Sequence, residues 1–376
     1  MEGEASLGEA QRRRFWREAL LFAVFGLVCF GVLMSATIDG PSVGFVAALR
    51  GRALRILIGL VALLVCFRVR LDAARKFVLP LYVTAVFLCL VPHVLGGVTK
   101  GASRWIEIGA LRFQPAELIK VLVVLATAEM IERRRALRDS FVRGVLPVIA
   151  VPLVGSLALL TQPDIGHAFF LVAIAAILVL CAGIRARHVL VLGGGATLAL
   201  IFVVQHFGHS RSRMAEFSSG QPGFQIGRGL ESFAEGALGG VGIGAGWMKM
   251  GWLPEARNDF VLAIVGNELG LVGSLLVLAL FALFFVATVE IARSASSSWR
   301  FLVAVGLGLT IVLQACINVL GVTFTVPEKG IDLPFLSSGG TNLVFALASV
   351  GILLNIARNH TRPLRRRCAE DLVAHG

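Results

Sequence analysis

Apolar runs of bilayer length recur along almost the whole chain, and nothing else constrains the fold as tightly. Ten can be marked, at 16–37, 54–67, 77–95, 115–131, 145–160, 167–184, 189–207, 260–289, 301–324 and 340–356. A helix needs roughly 17–25 residues to cross the hydrocarbon core, and most runs meet that length. The second is short and extends upstream. With 57% hydrophobic residues and a mean hydropathy of +0.84, a water-soluble core could not hide this much apolar surface. The expected fold is all-α: a polytopic integral membrane protein of ten transmembrane helices, with one membrane domain over 1–376 and no separate soluble domain.

The net charge is +12, and its placement decides more than its size. Arginines and lysines gather on one side of the expected bundle. They are Arg12, Arg13, Arg14 and Arg17, then Arg68, Arg70, Arg75 and Lys76, then Arg133, Arg134, Arg135, Arg138 and Arg143. Arg185, Arg187, Arg293, Arg300, Arg358, Arg362, Arg365, Arg366 and Arg367 continue the set. The positive-inside rule puts this side, with the basic tails 1–15 and 358–376, in the cytoplasm. The long loop between the seventh and eighth helices, 208–259, then faces outward, as do 96–114, 162–166 and 325–339. Basic residues placed between apolar runs suit loops, so no nucleic-acid partner is expected. Cys29, Cys66, Cys89, Cys181 and Cys316 lie inside apolar runs and Cys368 in the tail. Neither a disulfide framework nor a metal-ligand spacing emerges, and no metal site is expected. The first run is too long for a cleaved signal peptide. No internal repeat is visible, which weighs against a transporter built from inverted halves.

Every even-numbered helix begins on the outer face in this topology. Its amino end presents unpaired N–H groups and partial positive charge there, a setting that suits a phosphate or pyrophosphate. Three polar clusters share that face. Before the fourth helix come Arg104 and Trp105, then Pro115, Glu117 and Lys120. Pro115 fits the first position of a helix. Glu117 and Lys120 are three apart and share a helix face. An ionisable residue as deep as Lys120 is expensive and marks function by default; the structural alternative has Glu117 capping the helix and Lys120 snorkelling. Before the tenth helix come Lys329, Ser337, Ser338, Gly339 and Gly340, either caps and close-packing residues or a bed of N–H and hydroxyl groups for phosphate oxygens. The third cluster closes the long loop: Trp247, Lys249, Trp252, Glu255, Arg257 and Asp259. Asp259 either caps the eighth helix or works as an acid. Gln162-Pro163-Asp164 reads as a turn capping the sixth helix, and His93, His167, His206 and His209 lack ligand spacing and read as structural.

These stretches, Ala102-Ser103-Arg104-Trp105-Ile106-Glu107-Ile108-Gly109, Phe113-Gln114-Pro115-Ala116-Glu117, Gln162-Pro163-Asp164, Leu253-Pro254-Glu255-Ala256 ahead of Asp259-Phe260, and Leu333-Pro334-Phe335-Leu336-Ser337 ahead of Gly339-Gly340, resemble the SEDS family (shape, elongation, division, sporulation) over nearly the whole chain and in order. Lys249 before Leu253, and Pro327 with Lys329-Gly330, resemble its division member more than its elongation member. The resemblance implies a ten-helix peptidoglycan glycosyltransferase of the bacterial inner membrane, both termini cytoplasmic. It would polymerise lipid II beside a class B penicillin-binding protein, other divisome proteins and membrane lipids. It implies that Asp259 is the catalytic carboxylate. Arg104, Glu117, Lys120, Lys249, Glu255, Lys329, Ser337, Ser338, Gly339 and Gly340 would line the substrate and pyrophosphate site. No cofactor is implied with certainty, and a divalent cation on the pyrophosphate is left open. The chain departs from the family pattern twice. Arg257-Asn258 stands where His-Thr is usual, and Ser337-Ser338-Gly339-Gly340-Thr341 where Ser-Tyr-Gly-Gly-Ser is usual. An elongation polymerase, a lipid II flippase and a non-catalytic scaffold remain the alternatives.

Overall fold

The computed structural model describes residues 2–95, 104–108, 111–137, 139–184, 195 and 208–358. Its helices are α1 (Glu2–Val43), α2 (Phe45–Arg68), α3 (Val78–Leu95), α4 (Pro115–Arg133), α5 (Leu146–Thr161) and α6 (Ile165–Cys181). Two helices follow in the long loop, the polar α7 (Gly208–Ser218) and the amphipathic α8 (Phe224–Gly236). The bundle closes with α9 (Val261–Arg293), α10 (Ser298–Val322) and α11 (Gly340–Arg358). Except for position 195, the seventh run, 189–207, lies outside the described residues, as does Lys100; each other run forms a helix at its expected place. Six helices among the described residues are long and apolar enough to cross a membrane. The molecule is a multi-pass, helical membrane protein.

The helices pack by close approach of small residues rather than by hydrophobic expulsion, as lipid-embedded helices must. A carbon added at Gly351 of α11 would sit 2.3 Å from the Leu63 carbonyl oxygen of α2, and one at Gly59 of α2 would sit 2.5 Å from Leu347. Leu54, Leu57, Val61 and Val65 on the other face of α2 are exposed, as are Leu271, Val272, Leu275 and Leu276 on α9, the faces lipid would cover. α4 carries Glu117, Lys120 and Glu129, yet is enclosed on nearly every side.

Two features were not expected. The loop before α4 holds an antiparallel hairpin, β1 (Ile106–Ile108) and β2 (Leu111–Phe113), with Ile106 opposite Phe113. Its period-two alternation, Ile-Glu-Ile and Leu-Arg-Phe, sets charged Glu107 and Arg112 side by side, 2.9 Å apart. Phe113 meets Phe345 of α11 edge to face. The second feature is a break in α9 at Gly270 (φ 70). The loop after α8 repairs the lost helix bonds: Val241 N–H donates to the Asn267 carbonyl (2.9 Å), Gly242 to Glu268 (3.1 Å), and Leu271 to Ala237 (2.9 Å). Backbone groups freed at membrane depth need such partners.

Basic groups collect at one end of the bundle, where carboxylates hold them. Glu290 takes Arg12 and, at 3.1 Å, Arg293; Glu129 takes Arg75 and, at 2.6 Å, Arg133; Asp72 takes Arg300 at 2.8 Å. The amino ends of α4, α6, α9 and α11 all lie at the opposite end, with the carboxyl end of α10.

Candidate active site

The opposite end is built on α4, α6 and α10. Pro115 opens α4, so Glu117 and Lys120 fall one turn inside it. Lys120 Nζ donates to Glu117 Oε1 and to Gln314 Oε1, both at 2.8 Å, and lies 5.8 Å from the Phe170 ring centroid. Asp164 caps α6: its side chain accepts from the His167 N–H (3.3 Å) and pairs with the His167 ring Nδ1 at 2.9 Å. The ring's other nitrogen is 3.7 Å from Glu117 Oε1. Burial pushes the Asp164 carboxyl up, but His167 and Arg104 outweigh it and bring it down to about 2.

Two amides of α10, Gln314 and Asn318, sit one turn apart on one helix face. Gln314 Nε2 donates to the Asp332 carbonyl at 2.8 Å. Asn318 Nδ2 donates to the carbonyls of Asp259 (2.7 Å) and Ile331 (2.8 Å). These anchors bring the start of α9 and the loop before α11 together, and the Asp259 and Asp332 side chains share a hydrogen bond. Burial, then Asp332 and Glu328, hold the Asp259 carboxyl well above the ordinary carboxylate range, with Arg213 of α7 opposing. Burial and then Glu117 raise Asp332 to about 6, against Lys120, His167 and the bond from Asp259. Asp259 does not cap α9; Phe260 holds that position, with no side-chain cap bond.

The last loop is clamped from the other side. Ser337 Oγ donates to the Asn258 carbonyl (2.7 Å) and accepts from the Leu333 N–H (2.8 Å); Ser338 N–H donates to the Arg257 carbonyl (2.9 Å). Arg52 of α2, buried, donates to the carbonyls of Phe335 and, at 2.6 Å, Ser337; Arg55 donates to that of Ser338 at 2.8 Å. Gly31 of α1 leaves room for the Arg52 fork, since a carbon there would lie 2.1 Å from Nη2. Glu255 (φ 53) and Phe335 (φ 66) hold left-handed backbone on either side of this clamp, the kind of strain that clusters at functional sites.

The polar clusters thus converge on one place, with a carboxyl pair set among cations and helix amino ends. A model of cell-cycle proteins, the FtsW, RodA and SpoVE family, matches residues 12–362. The chain belongs to the FtsW/RodA/SpoVE family. It is 33% identical over 351 residues to a probable peptidoglycan glycosyltransferase FtsW of a Geobacter species, covering 90% of this chain and 95% of that one. The Bacillus subtilis protein of the same description is 30% identical, with 90% of each chain covered. Among solved structures, RodA of Thermus thermophilus matches with a TM-score of 0.68 at 25% identity, over 91% of this chain and 97% of that one. A chain from a study of polymerization and crosslinking by a peptidoglycan synthase complex matches with a TM-score of 0.76, also at 25% identity, over 90% and 96%.

Within this FtsW/RodA/SpoVE fold, the residues singled out from sequence separate into groups. Asp259, Lys329, Ser337, Ser338, Gly339 and Gly340 gather at the carboxyl pair and its clamp. Glu117 and Lys120 stand on the far side of Asp332. Arg104 lies at the rim and donates to the carbonyls of Gln162 (3.3 Å) and Pro163 (2.7 Å). Glu255 accepts from Asn258 Nδ2 at 2.7 Å. Lys249 goes elsewhere: it is buried beside the break in α9 and pairs with Glu268, whose other oxygen accepts from the Gly244 N–H at 3.1 Å. The two departures from the family pattern meet each other, Ser338 Oγ donating to Asn258 Oδ1 at 2.9 Å. Asp332, Arg213, Gln314, Asn318, Arg52 and Arg55 do not stand out in the sequence, and His167, which lacks ligand spacing, reads there as structural. Polar side chains at 314 and 318, within one apolar run and four apart, were the available signal.

Proposed function

We propose that this chain is an FtsW-like peptidoglycan glycosyltransferase that polymerises lipid II at the outer face of the bacterial inner membrane during septal wall synthesis, with both termini cytoplasmic. The observation that carries the reading is the pairing of Asp259 with Asp332, which is backed by the Glu117–Lys120 couple, at the end of the bundle opposite its basic groups. The acceptor is the sugar 4-hydroxyl of one lipid II, and the donor is a glycan held by pyrophosphate on undecaprenol. Asp259 takes the hydroxyl proton, a contribution of typically about 10²–10⁴-fold. A carboxyl held above its ordinary range is the stronger base once ionised.

The leaving pyrophosphate needs preorganised positive charge. Arg213 faces Asp259 and is the nearest cation for that task; Lys329, in the same outer loop as Glu328, is lowered from its ordinary value by burial, then Arg213. Arg104 and Arg257 lie further out, and Arg257 is 3.5 Å from Asp39 of α1. Lys120 is committed to Glu117 and Gln314, so it acts on Asp332 rather than on phosphate. Ser338 and the Gly339-Gly340 amino end of α11 complete the cradle. A cleft of about 200 Å³ opens between α7, α8 and Glu328, beside Arg213. A class B penicillin-binding protein and other divisome proteins are the partners this reading expects.

The test is lipid II polymerisation by purified protein with its transpeptidase, comparing Asp259→Asn and Asp259→Ala with the native chain. Loss of polymer from folded, partner-bound variants is the expected result. Near-normal glycan synthesis removes Asp259 from the chemistry, and translocation of lipid II without polymer turns the reading toward a flippase. Chelation followed by metal add-back in the same assay decides whether a divalent cation takes part.

A further inference from the structure

We propose that Asp332 shares one proton with Asp259 and receives it during sugar transfer, so that the two carboxyls work as a single acid–base unit. This rests on the reading of Asp259 as general base. Asp332 acts through Asp259 and is a positioning residue.

Four observations carry it. The two carboxyls face each other in a buried site, where like charges this close favour one shared proton over two negative charges. Their backbones are held independently of the side chains, Asp259 and Ile331 by Asn318 and Asp332 by Gln314, so the pair is not an accident of a loose loop. Gly339 gives Asp332 its space: a carbon there would lie 2.3 Å from Asp332 Oδ2. Finally, the surroundings split the pair. Asp259 faces Arg213 of α7 and Glu328, whereas Asp332 faces Glu117 and Lys120 of α4 and His167 of α6. At the inner carboxyl Lys120 and His167 partly offset burial and Glu117, so a negative charge costs less there than on Asp259. The outer one opens toward Arg213.

The step balances. The acceptor O–H bond breaks and its proton goes to one oxygen of Asp259. The proton already between the carboxyls passes to Asp332. The freed oxygen pair forms the new glycosidic bond, and the bond to the old pyrophosphate breaks with its electrons leaving on the phosphate oxygen. The doubly protonated pair then returns one proton to water.

Polymerisation by the full chain with its transpeptidase, profiled against pH for the native protein, Asp332→Asn and Asp259→Asn, tests this. In Asp332→Asn the acidic limb of kcat moves to lower pH by about one unit or more, because a like-charged neighbour has gone. Its kcat at neutral pH falls about ten-fold or more, because the remaining base is weaker. A second readout needs no turnover: a hydrophobic carbodiimide labels protonated, buried carboxyls, and mass spectrometry of the Asp259 peptide follows that protonation. Labelling of Asp259 in Asp332→Asn should fall off at lower pH than in the native chain. If both the kcat limb and the labelling curve coincide with those of the native protein, the pairing is wrong. Where Asp332→Asn turns over too slowly to profile, the labelling curve alone decides. Retained polymerisation in Asp259→Asn instead sinks the general-base reading, whatever Asp332→Asn does.

Discussion

At the scale of single residues, Asn258 and Ser338 are the informative pair. Each departs from the family pattern, and the hydrogen bond between them explains how both departures coexist: a shorter serine vacates space, and an amide fills the polar role. A double-mutant cycle over Asn258→Ala and Ser338→Ala, read by thermal unfolding in detergent, should give a coupling of about 0.5–3 kcal/mol. Additive effects would mean the contact contributes nothing. Asp332 makes a second prediction, with a definite sign. Its folded pKa of about 6 lies above the ordinary aspartate value of about 3.9, so ionising it costs stability that the native chain loses as pH rises from about 4 through 6. Asp332→Asn should therefore raise the melting temperature at pH 7 relative to native, with the gain shrinking toward pH 4. A gain that does not vary with pH would contradict it. Asp259 was legible from sequence because it combines a family motif with a helix start. Asp332 was not, because its meaning depends on a contact 73 positions away that only the α10 amides create.

At the scale of elements, the broken helix matters most. The sequence pattern of α9 reads as one long span, and only the buried Asn267-Glu268 pair, between Gly266 and Gly270, hints at a break. Only the loop at 237–242, closing on Asn267, Glu268 and Leu271, makes the interruption stable. Gly270 cannot carry a side chain there, since its φ is 70 and an added carbon would lie 2.4 Å from the Leu238 carbonyl oxygen. Gly270→Ala should cost about 1–3 kcal/mol or more, with faster proteolytic nicking in 237–246 than at other loops. Equal protection of that loop would count against the account. Lys249 belongs to this element too. Lys249→Met leaves Glu268 as an unpaired buried charge and should cost about 3–5 kcal/mol, much of it recovered in Lys249→Met with Glu268→Leu. If the folded single variant showed a large rise in KM for lipid II, Lys249 would instead belong with the pyrophosphate cations. Its spacing from Leu253-Pro254-Glu255-Ala256 suggested that role, and spacing alone does not say which way a side chain turns.

For the whole molecule, the distribution of charge was readable almost completely. Runs of arginine beside apolar segments are additive along the chain, and among the described residues they gather at one end, where Glu290, Glu129 and Asp72 pair with five of them. What stayed hidden was the counter-current: Arg52 and Arg55 sit at the far end of α2, against the positive-inside trend. Their targets are backbone carbonyls in the loop before α11, which no pattern of side chains announces. Membrane-impermeant maleimide should label Met250→Cys in intact cells and Arg135→Cys only after permeabilisation, in a background without native cysteines. The reverse labelling would invert the bundle.

Gln314 and Asn318 ride on the same helix, and each grips a segment that carries one of the two acids. Sliding or rolling α10 would move both carboxyls as one rigid cargo, leaving their mutual distance almost untouched while changing how far they stand from α4 and α7. A regulator that pushed on this helix would thus tune when the acids meet the sugar, not whether they meet each other.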